Sequence, residues 1–180
     1  MEAEIAQQIE QAVAAADAAP WGDVRMDEHK PGAAREYHWQ RRPEGFEKEK
    51  GVAAVRKGRE HGLETYPNLV LIGEDIESPY GGAFKATMGL SPRWPDRVRN
   101  TPISAHAISG IGNGLALSGM IPVVEIMFGD FMTLCMDQWV NHAAKFRFMF
   151  NDKVRVPLVI RTPMGGKRGY AATHSQSIEK

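Results

Sequence analysis

Three short apolar runs, Asn68 to Ile72, Pro122 to Met127 and Val156 to Ile160, are separated by two segments that read as helices, Ser104 to Ser118 and Phe131 to Phe150. Strands spaced by helical stretches pair in parallel through crossovers, and a parallel sheet has to be covered on both faces. The expectation is an α/β fold, a parallel sheet with helices on both sides. In such sheets ligands bind beyond the carboxyl ends of the strands. That rule puts Gly73-Glu74-Asp75, the turn from Phe128 to Phe131 and the loop from Arg161 to Gln176 on one rim.

Upstream of the first run the pattern changes twice. Glu2 to Ala18 is rich in Ala, Glu and Gln, with Ile5, Ile9, Ala12 and Val13 near helical spacing, which predicts a weakly amphipathic helix. From Ala19 to Pro43 Pro, Gly, His and charges dominate, with Trp21 and Trp39 among them, as in an extended arm whose aromatics dock on a partner or on their own domain. Glu44 to Gly62 is again helix-compatible. Phe46, Val52, Val55 and the aliphatic stem of Arg59 fall on one side, and Gly62 offers a stop.

Composition excludes several classes of protein. A chain of 180 residues that is 43% hydrophobic can bury a core, which excludes general disorder. Lys+Arg and Asp+Glu each number 22, so net charge points to neither nucleic acid nor a membrane surface. No apolar run approaches the roughly 20 residues that span a bilayer. The single cysteine, Cys135, rules out an internal disulfide and reads as a buried helix residue beside Met132, Leu134 and Met136. Glu2, Glu4 and Glu10 are unlike a basic, acid-poor transit peptide, so the expected location is cytoplasmic.

Several motifs can be set aside. Gly110-Ile111-Gly112-Asn113-Gly114 fails the G-x-G-x-x-G spacing and is better explained by close helix packing. Gly165-Gly166-Lys167-Arg168-Gly169 has Arg168 where a phosphate loop needs Ser or Thr, and is expected to be a mobile loop at the mouth of the site with an anionic contact. The absence of H-E-x-x-H, paired C-x-x-C and G-x-S-x-G argues against a zinc protease, a structural zinc site and an α/β-hydrolase.

What remains is a series of blocks in order: IGEDI from Ile72, GGAFK from Gly81, NTPIS from Asn100, GIGNGLALSG from Gly110, VVEIMFGDF from Val123, DQWVNHAAKF from Asp137 and HSQS from His174. Together they resemble the transketolase-like pyrimidine-binding domain in the β subunit of thiamine diphosphate-dependent 2-oxo-acid dehydrogenases, of the pyruvate or branched-chain type. The resemblance runs from about Asn68 to Lys180. With the changes in pattern upstream, the expected division is a helix and arm over 1–43 and a pyrimidine-binding domain over 44–180. Members of the family continue past the HSQS block into the rest of the sheet and a C-terminal domain, so an incomplete chain is expected.

The resemblance also implies roles. In the family a buried glutamate directly after Thr-Pro-Ile-Ser hydrogen-bonds the cofactor aminopyrimidine and helps to remove the thiazolium proton. Here that position is Ala105, which can neither donate nor accept a proton. General acid-base groups contribute about 10²–10⁴-fold, so an uncompensated loss would slow the enzyme severely. His106 is adjacent, but neighbouring helix residues point about 100° apart, and it reads as a polar helix residue. Ser104 is a candidate N-cap. Ile103 and Ala105 would line the cofactor. Glu74 matches a second acid near it that relays protons between active sites, the alternative being a solvated strand-end carboxylate.

Phe131 matches the aromatic that stacks on the aminopyrimidine, its alternative being core filling. His174 matches the active-site histidine that assists later proton or acyl transfer, a use suited to an imidazole as both donor and acceptor. His29, His38, His61 and His142 lack any such context. By analogy alone, main-chain carbonyls at Val156, Leu158 and Val159 are candidate holders of a monovalent cation such as K⁺. The cofactor implied is thiamine diphosphate, with its diphosphate and Mg²⁺ held by a partner α subunit carrying a Gly-Asp-Gly pattern absent here.

The function expected is that of a β-type subunit in a heterotetramer with β–β contact, decarboxylating a 2-oxo acid and passing the acyl group to a lipoyl-bearing acyltransferase, impaired by Ala105. The alternative is a catalytically inactive homologue that acts in assembly or interaction.

Overall fold

A computed structural model describes residues 1–20, 50–167 and 169–179. The arm with Trp21 and Trp39, the start of the expected helix with Phe46, and His29, His38 and Arg168 lie outside these residues. The chain divides into two units, 1–46 and 47–180. In the first, helix α1 (Glu2–Ala18) forms as its composition predicts, with none of its residues buried.

The second unit is built on a four-stranded sheet in the order β2-β1-β3-β4, with β1 at Leu69–Gly73, β2 at Val98–Asn100, β3 at Ile121–Glu125 and β4 at Val159–Arg161. Every pairing is parallel. All five residues of β1 are buried, as a strand covered on both faces requires. Its side chains alternate between two cores. Leu69 and Leu71 meet Val98, Val123 and Leu63 of helix α2 (Gly51–Thr65). Ile72 meets Val124 and, from helix α3 (Ala105–Leu117), Ala105 and Ile108. Helices therefore cover both faces, as expected.

The boundaries shift for local reasons. Gly62 does not stop α2 but lies inside it, because a Cβ there would stand 3.0 Å from Leu69 Cδ1 and hold the helix off β1. Pro122 is tolerated in a central strand: the Ile121 amide donates to Asn68 O, so the Pro122 nitrogen faces β4, whose pairing begins only at Val123↔Val159. The third apolar run starts its strand late, since Pro157 has no donor and the Leu158 amide turns back to Val156 O at 2.8 Å. Strand β2 was not expected, because its three residues carry one buried apolar side chain, Val98.

Phe131 to Phe150 is helical but not one helix. A 3₁₀ turn, Gly129–Cys135, leads into a π segment, Asp137–Ala143, and a short helix α4, Ala144–Met149. Buried Asn113 of α3 donates from Nδ2 to the Gln138 carbonyl at 2.8 Å, and so takes a group that a regular ladder would have used.

The reading of Arg59 needs correction. Its guanidinium is buried with its stem and pairs with the buried Glu125 of β3, which also pairs with Arg161 of β4. Arg59 Nη1 donates further to Ala86 O at 3.1 Å. Burial pushes the guanidinium below its ordinary range; Glu125 pulls it back up, and Arg161 adds to the lowering.

Candidate functional site

Because all four strands run the same way, their carboxyl ends form one rim, with Asn100, Gly73, Glu125 and Arg161 as its last rung. The three expected segments leave from it, Glu74 after β1, Phe128 to Phe131 after β3 and the loop to Gln176 after β4, and Thr101 to Ala105, not placed there by the sequence, follow β2. Gly73 leaves room for the ion-pair cluster below, since a Cβ there would lie 2.8 Å from the Glu125 Cβ.

Phe131 and His174, 43 residues apart in sequence by their numbering, meet at this rim. Their ring centroids are 5.2 Å apart with planes at 82°, and Phe128 touches both, at 6.0 Å from Phe131 and 5.1 Å from His174. Tyr170 and Phe84 add edge contacts to Phe128. Perpendicular rings place the positive edge of one against the negative face of another, which fixes mutual orientation beyond simple burial. Phe131 also packs on the core that contains Ala105, Ile108 and Cys135, so it reaches from that core to the imidazole.

Ser104 caps α3, its hydroxyl accepting from the Ala107 amide at 3.3 Å. This cap begins the helix at Ala105, which is buried with Ile72, Val124, Ile126 and Cys135 around it. The Cys135 thiol donates to Ala105 O at 3.4 Å. Burial raises that thiol, with the Glu74 charge adding to the rise, while Ser109 opposes it. The cysteine is therefore a packed, buried group, as its apolar neighbours suggested. Glu74 is half-buried, and burial, then Asp75, push its carboxyl above the usual range.

Other expected residues stand apart. Ile103 is 86% exposed. His106 turns to Gln138 Nε2, 3.0 Å away, and to Asp137 rather than to the rings. Val156 O already accepts from Leu158, and Leu158 packs on the core below. Val159 belongs to β4. Among the described residues no group of His, Cys, Asp and Glu is disposed to hold a metal ion, and no helix is long and apolar enough to cross a membrane.

The sequence reading missed Asp130. Its Oδ1 accepts from both the main-chain amide of Gln176, at 3.1 Å, and Gln176 Nε2, at 2.8 Å. Burial works to raise this carboxyl, but the two bonds from Gln176, joined by its own main-chain amide and by the His174 charge, together hold it below the usual range. The signal was present, since Asp130 and Gln176 sit inside the GDF and HSQS blocks. Nothing local says that two polar residues so far apart in the chain are partners.

A parallel α/β sheet that gathers a carboxyl, an aromatic cluster and an imidazole at its strand ends has the doubly covered architecture in which ligands bind beyond the strand ends. The chain belongs to the family described as transketolase, pyrimidine binding domain, which matches residues 52–180. It is 38% identical over 134 residues to the acetoin:2,6-dichlorophenolindophenol oxidoreductase subunit beta of Cupriavidus necator, covering 69% of this chain and 40% of that protein. It is 37% identical over 129 residues to the 2-oxoisovalerate dehydrogenase subunit beta of Bacillus subtilis, covering 71% and 39% respectively. A third relative, the mitochondrial pyruvate dehydrogenase E1 component subunit beta-1 of Oryza sativa subsp. japonica, is 38% identical over 124 residues, covering 68% and 33%. The chain thus spans 33–40% of the length of these relatives.

Proposed function

We propose that this chain supplies the pyrimidine-binding side of a thiamine diphosphate site in a β-type subunit of a 2-oxo-acid dehydrogenase. The observation that carries the reading is the edge contact between Phe131 and His174 at the strand ends, 5.2 Å between centroids, beside the core that holds Ala105. When bound, the cofactor supplies an acidic thiazolium carbon that becomes the nucleophile toward a 2-oxo acid. The chain's own contribution is an apolar ring platform from Phe128 and Phe131, an imidazole at His174 able to hold or pass a proton, and a half-buried carboxyl at Glu74.

Ala105 does not fit the remaining role. Its lining of Ile72, Ile108, Val124 and Ile126 would raise the pKa of a carboxyl placed there, as an activating acid needs, but a methyl group holds no proton. The chain as it stands is therefore impaired in the first deprotonation. The diphosphate and Mg²⁺ belong to an α subunit, in a heterotetramer with β–β contact. A lipoyl-bearing acyltransferase receives the acyl group, the location is cytoplasmic, and K⁺ would be held, by analogy alone, by the carbonyls of Val156, Leu158 and Val159, the first of which already accepts from the Leu158 amide. The names of the relatives, each a β subunit, support the pairing with α.

The test completes the chain to the length of its relatives, pairs it with an α subunit and compares Ala105 with Ala105→Glu. Cofactor binding by both forms, with 2-oxo acid turnover rising at least about 100-fold in the glutamate form, is the expected result. Absence of both binding and turnover in both forms defeats the reading. Removing the imidazole by His174→Ala in the glutamate form should then lower kcat about 10²-fold or more.

A further inference from the structure

The turn that follows β3 has two tasks. Phe128 and Phe131 provide the rings against which His174 stands, and Asp130, between them, grips the loop that carries His174. Asp130 is only 6% exposed and spends one oxygen, Oδ1, on both donors of Gln176. An ionised carboxylate only accepts, and bonds to it are about twice as strong as bonds between neutral groups. Two main-chain bonds run alongside: the Gly129 amide to Pro163 O at 2.9 Å and the Gly165 amide to Gln176 O at 3.1 Å. A Cβ on Gly129 would stand 2.3 Å from Met164 Cγ, so turn and loop are in direct contact.

Among the described residues the imidazole makes no hydrogen bond to the sheet or to the turn after β3. His174 Nδ1 shares a hydrogen bond of 2.8 Å with Thr173 Oγ1, its neighbour in the chain. That bond orients the ring relative to its own loop and does nothing to fix the loop to the sheet. A group that transfers protons must be held to within about 0.5 Å of its working place by the contacts around it. Here the polar contact available for that purpose is two residues further on, at Gln176.

We propose that Asp130 is a positioning residue for His174: through Gln176 its carboxylate ties the histidine loop to the end of β3 and keeps the imidazole against Phe128 and Phe131. The functional meaning of this tie rests on the reading of His174 as the active-site imidazole. The positioning itself does not depend on cofactor.

The experiment uses the 180-residue chain without cofactor. Nuclear magnetic resonance follows the cross-relaxation between the ring protons of His174 and Phe131 and the exchange rate of the Gln176 amide, with thermal melting in parallel. Asp130→Ala is expected to abolish the His174–Phe131 signals and to speed Gln176 exchange at least tenfold. Signals from Leu63 and Val98, in the other core, should stay where they were. Gln176→Ala, which alters only the loop side of the contact, gives the same reading should Asp130→Ala fail to fold. Unchanged ring signals and unchanged Gln176 exchange in the folded variants overturn the proposal. So does equal loosening at Leu63 and Val98, which marks a general loss of structure. Turnover does not enter these readouts, so the proposed function fails separately, on cofactor binding and on His174→Ala.

Discussion

Arg59 of α2 and Glu125 of β3 form an ion pair in which the residues are 7% and 3% exposed. With Arg161 on the other carboxylate oxygen, one buried anion joins a helix to two strands. Such a cluster is costly to desolvate, and much of what it contributes appears when one member is removed. Glu125→Ala should destabilise the domain by about 3–5 kcal/mol, because two guanidiniums are left without their anion. Arg59→Met should cost less, as Arg161 still neutralises Glu125. Urea unfolding of the two variants checks the order, and equal losses would mean that Glu125 does not depend on both partners.

The glycines of α3 divide by position. Gly112 faces the sheet, where a Cβ would stand 2.6 Å from Val124 Cγ2 and 3.0 Å from Leu158 Cδ1, whereas a Cβ on Gly114 meets nothing within 4 Å. Gly112→Ala should cost about 1–3 kcal/mol by overpacking. Gly114→Ala should stabilise by about 0.5–1 kcal/mol, the helix-interior difference between the two residues. Opposite signs are expected from two substitutions of the same kind, two positions apart. Melting curves that move the same way would contradict close packing as the reason for Gly112.

The alternation of strands and helices could be read from the sequence because Leu69 to Ile72 and Val123 to Val124 are continuous apolar runs, the mark of strands buried on both faces. The rim followed from strand direction alone, and so did the nearness of the turn after β3 to the loop after β4. Arg59 was misread because a helical wheel shows which side faces inward but not that Glu125, 66 residues away, lies there to receive its charge. Strand β2 was missed because a single apolar side chain, Val98, is followed by polar Arg99 and Asn100 over only three positions. The Asp130–Gln176 tie was invisible for the reason that applies to long-range polar partners generally: each half is unremarkable without the other.

Phe131 bears directly on the proposed cofactor. It packs both on the core around Ala105 and against His174, so its ring is held from two sides. Aromatic stacking adds about 0.5–1.5 kcal/mol beyond the area it buries, so Phe131→Ala should weaken thiamine diphosphate binding on the order of tenfold in the completed, paired protein. Phe131→Tyr should bind nearly as well, since it keeps the ring. Calorimetry decides, and an affinity unchanged by the alanine variant would remove Phe131 from the cofactor site while leaving its packing role intact.

Glu74 and Asp130 give stability opposite dependences on pH. The carboxyl of Glu74 is raised by burial and by Asp75, so the folded state holds its proton more tightly than the unfolded chain does. Its favourable contribution is complete below the unfolded value, about 4.3, and is lost as pH rises through the folded value. Asp130 is lowered by its bonds from Gln176 against the effect of burial. Its contribution is present above the unfolded value, about 3.9, and is lost as pH falls through the folded value. Glu74→Gln should therefore flatten the stability profile on the alkaline side of about 4.3, and Asp130→Asn should flatten it on the acid side of about 3.9. Urea unfolding midpoints from about pH 3 to about pH 8 separate the two effects, because each variant departs from the parent at one end only. A Glu74→Gln curve parallel to the parent across the whole range would place that carboxyl in free solvent and leave the rim without its shielded acid.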